Sequence, residues 1–338
     1  MKLFENKVIK NRLHFIKSFN EKEWWYSGIQ FRIPDETDAK KTKTVFLGIS
    51  EARSVFIDSL AVVYYDGKTV FPVSKKQKFK YAAGYYIKKN LTKTDGNSLL
   101  VNSKHLQFCY SENKKSDNET VYQMELKLND PKNFSGCEIE LKLELKPELP
   151  LFEKYDNYFE NNYGLENYFL LIEKGIVKIN GKEYTLSAKD KNIVYQDHCF
   201  GKVPRKTKWH WAAVWNKNIY LDSLVNYAAY PQKYTQIFAP KISKEWIRLD
   251  QNVSFECNDI ENCFEKKWKI TSTQFDLNME ISGTALEREA IPFLFCPFFI
   301  NLFHYQCFVR VWGKVLLNGE WIETGDMFGV FEEHRGKW

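Results

Sequence analysis

The chain has no apolar run long enough to cross a bilayer. The longest, Ile291 to Phe303, is broken by Pro292, Pro297 and Asn301 and falls short of the roughly 20 residues a spanning helix needs. It reads as a buried core segment; the rival reading is a cover over a barrel mouth or a contact with a membrane surface. The N-terminus, MKLFENKVIKNRLHF, lacks an apolar signal-peptide core, which points to a cytoplasmic protein. Seven cysteines, an odd number, lie far apart with no C-x-x-C pair. They read as reduced, mostly buried thiols rather than a disulfide framework or a zinc site. G-x-S-x-G, a glycine-rich phosphate loop and a dinucleotide fingerprint are all missing, so serine hydrolase, kinase and dehydrogenase readings have no support and no cofactor is expected. The net charge of +6 is mild and the lysines are scattered. Without a recognition helix, an RNP motif or zinc-finger spacing, nucleic acid is not an expected partner. The charge permits only a weak attraction to an anionic membrane surface. No long amphipathic helix and no strand–helix alternation is present, and nothing in the sequence fixes an oligomeric state.

What remains is β-rich and aromatic. A chain of 338 residues favours two domains over one. Hydrophobic content of 44% and charged content of 27% are ordinary, but aromatic content of 16%, with ten Trp, 19 Tyr and 26 Phe, is high. Such a load suits strand packing, and it equally suits a cavity for a large apolar ligand. Short β-runs follow one another: TVFLGI from Thr44, SLAVVYY from Ser59, SLLV from Ser98. CEIELKLELK, from Cys137 to Lys146, alternates apolar and charged residues, which is a strand with one wet face. Asp66-Gly67, Asn180-Gly181 and Asn318-Gly319 each sit between β-runs and predict two-residue type I′ hairpins. Lys114–Thr120 reads as a polar loop, and Leu149–Tyr168 as an irregular segment with room for a short helix. The fold class expected is all-β and antiparallel, with strands closing into barrels or curled sheets.

The chain also repeats itself. Gly175 to Val203 returns, shortened, as Gly313 to Trp338. Both copies run from a glycine through a β-run and an Asn-Gly turn to an acid beside a histidine: Asp197-His198, then Glu333-His334. The halves open alike too, with WWYSGIQF at Trp24 and WHWAAVW at Trp209 after a basic linker, Lys202–Lys208. Long-range self-similarity is the mark of duplication. It places an N-terminal arm at residues 1–22, a first β domain at 23–203 and a second at 204–338.

Four clusters could carry chemistry. In Glu23-Trp24-Trp25-Tyr26, strand alternation puts Trp24 and Tyr26 on one face and Glu23 and Trp25 on the other. One tryptophan would then line a lumen and the other pack outside it, unless both are simply structural anchors. In Tyr195-Gln196-Asp197-His198-Cys199, the odd residues face away from Gln196 and His198. Desolvation of Asp197 among aromatic rings would favour its protonated form and make it a proton donor; the competing reading is a satisfied structural Asp-His pair. Asp, His and Cys also bind metals, but neighbours on a strand diverge and no second ligand cluster has the right spacing, so no metal is expected. Trp209 and Trp211, with Trp215 in the same phase, could form an electron-rich wall that stabilises a cation, or a packed sheet face. The fourth cluster, His304-Tyr305 with Glu332-Glu333-His334, supplies either second-half counterparts or domain-interface residues.

With EWWYSG near its start, YQDHCFG at mid-chain and WHWAAVW soon after, the sequence resembles the carotenoid 1,2-hydratase (hydroxyneurosporene synthase) family. That group sits in a wider lipocalin-like (calycin) set with AttH-like proteins, fungal Diels-Alderases and, distantly, tocopherol cyclase. Glu23, Trp24, Trp25 and Tyr26 match the family's E-W-W-Y start. Tyr195, Asp197, His198 and Gly201 match its Y-x-D-H-N-W-G segment, and Trp209 with Trp211 its W-x-W. Cys199 and Phe200 depart from it, standing where Asn and Trp are usual. The resemblance implies two tandem lipocalin-like β-barrels or curled sheets and a bulky hydrophobic, isoprenoid- or polyketide-like substrate. It implies a lyase or cyclase that protonates a C=C bond without a cofactor. Asp197 and His198 would then be catalytic, and Trp24, Trp25, Tyr26, Tyr195, Trp209, Trp211, His304 and Tyr305 would line the substrate. The alternative is a non-catalytic hydrophobic-ligand carrier with the same aromatic cavity. Strand geometry adds one requirement: Asp197 and His198 can share a cavity only if a bulge lies between them.

Overall fold

The computed structural model describes residues 21–38, 41–53, 58–65, 82–88, 92–94, 98–116, 119–131, 137–147, 152–156, 163–202, 206–227, 232–249, 252–256, 268–284 and 301–337. Their regular structure is antiparallel strand throughout, apart from a single 3-10 turn at Ala188–Asp190. No helix among these residues is long and apolar enough to cross a membrane.

Two compact units divide between Val203 and Pro204. The first holds β1 (Glu21–Pro34), β2 (Thr42–Arg53), β3 (Asp58–Tyr65), β4 (Ala82–Lys88), β5 (Thr92–Thr94), β6 (Ser98–Asn102), β7 (Leu106–Ser116), β8 (Glu119–Asn129), β9 (Glu138–Pro147), β10 (Phe152–Asp156), β11 (Tyr163–Ile179), β12 (Lys182–Ser187) and β13 (Ile193–Lys202). They form a 13-stranded sheet in the order β4-β3-β2-β1-β13-β11-β9-β8-β7-β6-β5, with β10 and β12 both paired to β11. The second unit holds β14 (Lys206–Trp215), β15 (Tyr220–Asn226), β16 (Gln232–Phe238), β17 (Ile247–Arg248), β18 (Ser254–Glu256), β19 (Trp268–Ser272), β20 (Phe275–Thr284), β21 (Asn301–Leu317), β22 (Glu320–Glu323) and β23 (Met327–Lys337). Their 10-stranded sheet runs β17-β16-β15-β14-β23-β21-β20-β19-β18, with β22 paired to β21.

The two orders correspond strand for strand from β4 to β7 and from β17 to β18, and the first sheet continues with β6 and β5. In each, the Trp-rich opening strand pairs with the acid/histidine strand that closes the unit, and a 17-residue strand comes next with an Asn-Gly hairpin at its end. Each sheet also carries an irregularity in the pairing of that long strand with its inner neighbour, at Ile172/Lys174 and at Ile281/Gly283. Both hairpins take positive φ at both central residues, 50° and 78° at Asn180-Gly181 and 52° and 84° at Asn318-Gly319, as a type I′ turn requires. Asp66-Gly67 lies outside the described residues.

Both sheets curl until one face meets itself. Trp25 of β1 lies 5.1 Å, ring to ring, from Phe108 of β7, the fifth strand along the sheet. In the second unit His210 of β14 lies 5.6 Å from Phe255 of β18, again the fifth strand along. Each enclosed face is a dry core. The first gathers Trp25, Ile29, Phe108, Tyr110, Tyr122 and Leu141 among others; the second gathers Val214, Leu221, Trp268, Val309 and Phe331. The tandem curled-sheet architecture is thus present. Strands far from the opening strand alternate buried and wet residues, as β9 does along its length. Strands β14 and β15 are instead buried on both faces.

Some local expectations are corrected. Leu149–Tyr168 contains β10 and the start of β11, paired from Phe152–Asn167 to Asp156–Tyr163; its aromatic residues favour strand over helix. The loop expected at Lys114–Thr120 is shorter, because β7 runs to Ser116 and β8 starts at Glu119. Of the apolar run Ile291–Phe303, only the last three residues are described, at the start of β21. The N-terminal arm is described only at its end, where β1 begins at Glu21.

Candidate functional site

β1 and β13 pair without a register shift: Trp24 faces Cys199, Trp25 faces His198, and Tyr26 faces Asp197. The pairing of β13 with β11 is equally regular, with Glu166 opposite His198 and Asn167 opposite Asp197. The bulge that would bring Asp197 and His198 into one cavity is therefore absent. Strand alternation sends His198 and Gln196 into the core of the first unit with Glu23, Trp25 and Ser27, and turns Asp197, Tyr195 and Cys199 to the opposite face with Trp24 and Tyr26. The two tryptophans separate as alternation requires, Trp25 into the core at 1% exposure and Trp24 half-buried on the other side.

The core face carries a dry polar pair. His198 Nε2 lies 2.9 Å from Glu23 Oε1, with both side chains sealed from solvent. Beside them Gln196 Nε2 donates to Ser27 Oγ at 3.3 Å. Charged and polar groups persist at such depth only when paired, so His198 is committed to Glu23 and the pair ties the opening strand to the closing one.

On the opposite face lies an aromatic layer. Tyr195 packs against Phe169 at 4.7 Å and Tyr26 at 6.3 Å, and all three rings are buried. The Tyr26 ring fits over the facing pair Gly28 and Gly48; a Cβ on Gly28 would stand 3.0 Å from the Tyr26 hydroxyl. Asp197 sits half-buried in this layer, its oxygens 3.5 and 3.6 Å from the Cys199 thiol.

In the second unit the facing is reversed. His210, not His334, points to the core, opposite Glu333, with 3.8 Å between His210 Nε2 and Glu333 Oε2. Arg335 Nε also donates to Glu333 at 2.8 Å, and His210 Nδ1 meets the Tyr227 hydroxyl at 3.0 Å. His334 turns outward, stacked on Trp209 at 3.6 Å and bonded through Nε2 to Thr207 Oγ1 at 2.7 Å. The sequence echo of Asp197-His198 in Glu333-His334 is thus not an echo in space. The reversal comes from the bulges: in the first unit the extra residue lies on the long strand β11, between Ile172 and Lys174, whereas in the second it lies on its neighbour β20, between Ile281 and Gly283, and a shift of one residue exchanges the two faces of a strand. Each core nevertheless keeps one Glu–His pair. The glutamate comes from the opening strand in the first unit and from the closing strand in the second.

Burial pushes the Glu333 carboxyl toward higher pKa, but hydrogen bonds from His210 and Arg335 and their charges outweigh it and hold the group below its ordinary 4.5. A depressed carboxylate adds stability that is complete above the unfolded value and disappears as pH falls through the native one. Glu333→Gln should therefore lower the urea midpoint at pH 7, and the gap from wild type should close as pH drops below 4.5. A gap that widens on acidification would refute this.

His304 and Tyr305 stand opposite His334 and Glu333 in the pairing of β21 with β23, with side chains outside the described set. Trp209 donates its indole N–H to Glu332 at 3.4 Å. Trp211 donates to Asp222 Oδ1 at 2.9 Å. Asp222 is fully buried, although in sequence Tyr-Leu-Asp-Ser-Leu reads as an ordinary strand with one wet face. The signal was there only in the adjoining WHWAAVW, whose lack of alternation marks a neighbourhood buried on both sides. Among the described residues no group of three or more His, Cys, Asp or Glu side chains is placed to hold a metal ion. A groove of about 670 Å³ lies elsewhere in the first unit, bordered by Gln107, Glu125, Lys142, Ile176, Lys178 and Glu183.

No curated protein matches the chain. Three solved chains match it in structure. One, titled "Crystal structure of CghA", aligns with a TM-score of 0.47 and 8% identity over 94% of this chain and 88% of that one. A sequence-family profile, Domain of unknown function DUF2804, matches residues 41–338, which is most of the length, and the chain belongs to that family.

Proposed function

We propose that this protein is a cofactor-independent enzyme of the hydratase or cyclase type, acting on a bulky apolar, isoprenoid- or polyketide-like molecule, with Asp197 as the acid. The observation that supports this is the split of the Asp197-His198 pair. His198 is spent on Glu23 in a dry core, whereas Asp197 is half-buried on an aromatic face beside Tyr26 and Tyr195. A protonated Asp197 would transfer its proton to one carbon of a C=C bond, leaving a cation on the other. Aromatic faces hold such a cation. Water, or a second C=C bond of the same molecule, then donates an electron pair to it, and the proton released returns to the carboxylate. His198 takes no part, so the role given to it by the family resemblance is reassigned to holding β1 on β13.

A second reading is a carrier without chemistry. It is favoured by the Cys199 thiol, which lies within bonding reach of both Asp197 oxygens and suits an ionised carboxyl better than a proton donor. The test uses lycopene and geranylgeraniol as acyclic polyene probes in D2O, with mass spectrometry of the products. Wild type should yield a product with one carbon-bound deuterium, and Asp197→Asn should lose roughly 100-fold or more of that activity. Equal turnover by the variant removes Asp197 from the mechanism. Probe bound and recovered unchanged from both proteins establishes the carrier.

A further inference from the structure

We propose that the linked side chains Glu333, His210 and Tyr227, with Lys208 and Arg335 at their rim, form a binding site for a small oxyanion at an open end of the second curled sheet, and that the anion is taken up together with a proton on His210. The site lies in the second unit and does not depend on the reading given for Asp197. Each unit keeps one Glu–His pair in its core, but the first is closed and the second is not. His198 and Glu23 meet at 2.9 Å, both sealed from solvent. His210 and Glu333 stand 3.8 Å apart, and the side chains bonded to them reach water: Tyr227 is 42% exposed and the Arg335 side chain 52%. Along β14 the core face runs from Val214 and Ala212, fully buried, through His210 at 8% exposure to exposed Lys208 and Lys206. The dry core therefore ends at His210, and what lies beyond it is accessible.

The register assembles the charges. His210 pairs with Glu333 on one side and Val225 on the other, and Val225 pairs with Lys233. One step along, Lys208 pairs with Arg335, and the Lys208 carbonyl accepts the Tyr227 N–H at 2.7 Å. Directly opposed residues share a face, so Lys208, Lys233 and Arg335 flank His210, with Lys206 following in phase. All four are exposed, and the three lysines meet no carboxylate among the described residues. The rings of Tyr227, Phe255 and Phe331 also face His210, and Tyr305 stands opposite Glu333 in the backbone pairing. Four cations against one buried carboxylate leave a positive field at the rim, which draws in anions. The Lys208 ammonium lies 5.1 Å from the centre of the Tyr227 ring.

The hydrogen bonds couple that field to a proton. His210 Nδ1 lies 3.0 Å from the Tyr227 hydroxyl, and Nε2 faces Glu333. A neutral imidazole with its hydrogen on Nε2 accepts at Nδ1, so Tyr227 donates inward. An imidazolium donates from both nitrogens. Tyr227 then accepts from Nδ1 and turns its O–H toward the rim that Lys208 and Arg335 share, where an oxyanion can accept it. Anion binding and protonation of His210 therefore favour each other, and the coupling is reciprocal. The proton comes from the buffer, and no covalent bond to the ligand forms. The ligand class is a small carboxylate or phosphate.

The test is nuclear magnetic resonance of the histidine ring signals in the full chain at pH 7. Sodium phosphate and, separately, sodium acetate are titrated in, with ionic strength held constant by sodium chloride. The His210 signal is the one missing from His210→Gln. Either probe should move it saturably toward the imidazolium position, with half-saturation on the order of 1 mM, while sealed His198 stays where it is. Tyr227→Phe keeps the ring and loses the hydroxyl, and should weaken binding roughly 10-fold to 100-fold. Lys208→Gln should weaken it about threefold. Both changes fall at exposed positions, and an unmoved His198 signal reports that the fold is intact. Saturation by phosphate alone or by acetate alone supports the site and fixes the ligand class. No saturable movement of His210 with either anion, movement without the imidazolium shift, or equal affinity in Tyr227→Phe overturns the inference and leaves the reading of Asp197 untouched.

Discussion

Replacing Glu23 with leucine is expected to lower the unfolding free energy by about 3–5 kcal/mol, because it removes the buried carboxylate that His198 meets. The histidine sits within 2.9 Å of the lost carboxylate and both groups are sealed from solvent. His198→Leu should cost a similar amount by removing the imidazole from the buried Glu23 carboxyl. The informative variant is the double one. Replacing both partners by apolar groups removes the broken pair itself, so Glu23→Leu with His198→Leu should recover much of the loss. Urea unfolding of the four proteins, followed by far-UV circular dichroism, gives the coupling energy directly. Single variants within about 1 kcal/mol of wild type would show that the pair is open to water and free to act elsewhere, and His198 would become a candidate for chemistry again.

Gly329→Ala is expected to cost at least about 3 kcal/mol, a large share of the stability of an ordinary domain. A Cβ at Gly329 would stand 2.0 Å from the carbonyl oxygen of Ala213 and 2.9 Å from the Cα of Val214. Both obstacles are backbone of the strand paired with it, opposite Val214 in the register, so no rotamer change can make room. Gly319→Ala is the control. Nothing lies within 4 Å of its added methyl, and only its φ of +84° opposes the change, which costs on the order of 1 kcal/mol. Thermal or urea unfolding that ranks the two variants equally would contradict the close approach of β23 to β14.

Where one face of a strand meets water, the sequence announces the structure. CEIELKLELK alternates in composition and β9 alternates in burial to match. The two Asn-Gly pairs dictate their hairpins because few other residues accept positive φ twice in succession. The doubled landmarks, Trp-rich openings and acid/histidine closings, map onto neighbouring strands in both sheets. What could not be read was phase. Glu333-His334 looks like Asp197-His198 letter by letter, yet its acid turns inward where the other turns outward, because the one-residue bulge falls on β11 in the first unit and on β20 in the second, which the motif does not record. The partners of buried groups were equally hidden. Glu23 lies 175 positions from His198, and a β-sheet sets such meetings by register, which no local pattern records. Asp222 escaped notice for a related reason: a strand covered on both sides loses the alternation by which a buried carboxyl would stand out.

The pairing that closes the first unit joins Glu21 to Lys202. A nascent chain leaving the ribosome therefore carries its first long strand, with two tryptophans and an unmatched carboxylate, until nearly all of that unit has been translated. Contacts so distant along the chain form slowly, and an exposed edge of that kind invites pairing with a neighbour. Glu23 and Lys22 lie on this waiting strand. Before Glu23 serves the finished core, the charges of both would serve as gatekeepers during synthesis, discouraging chain-to-chain association until β13 arrives to take its place.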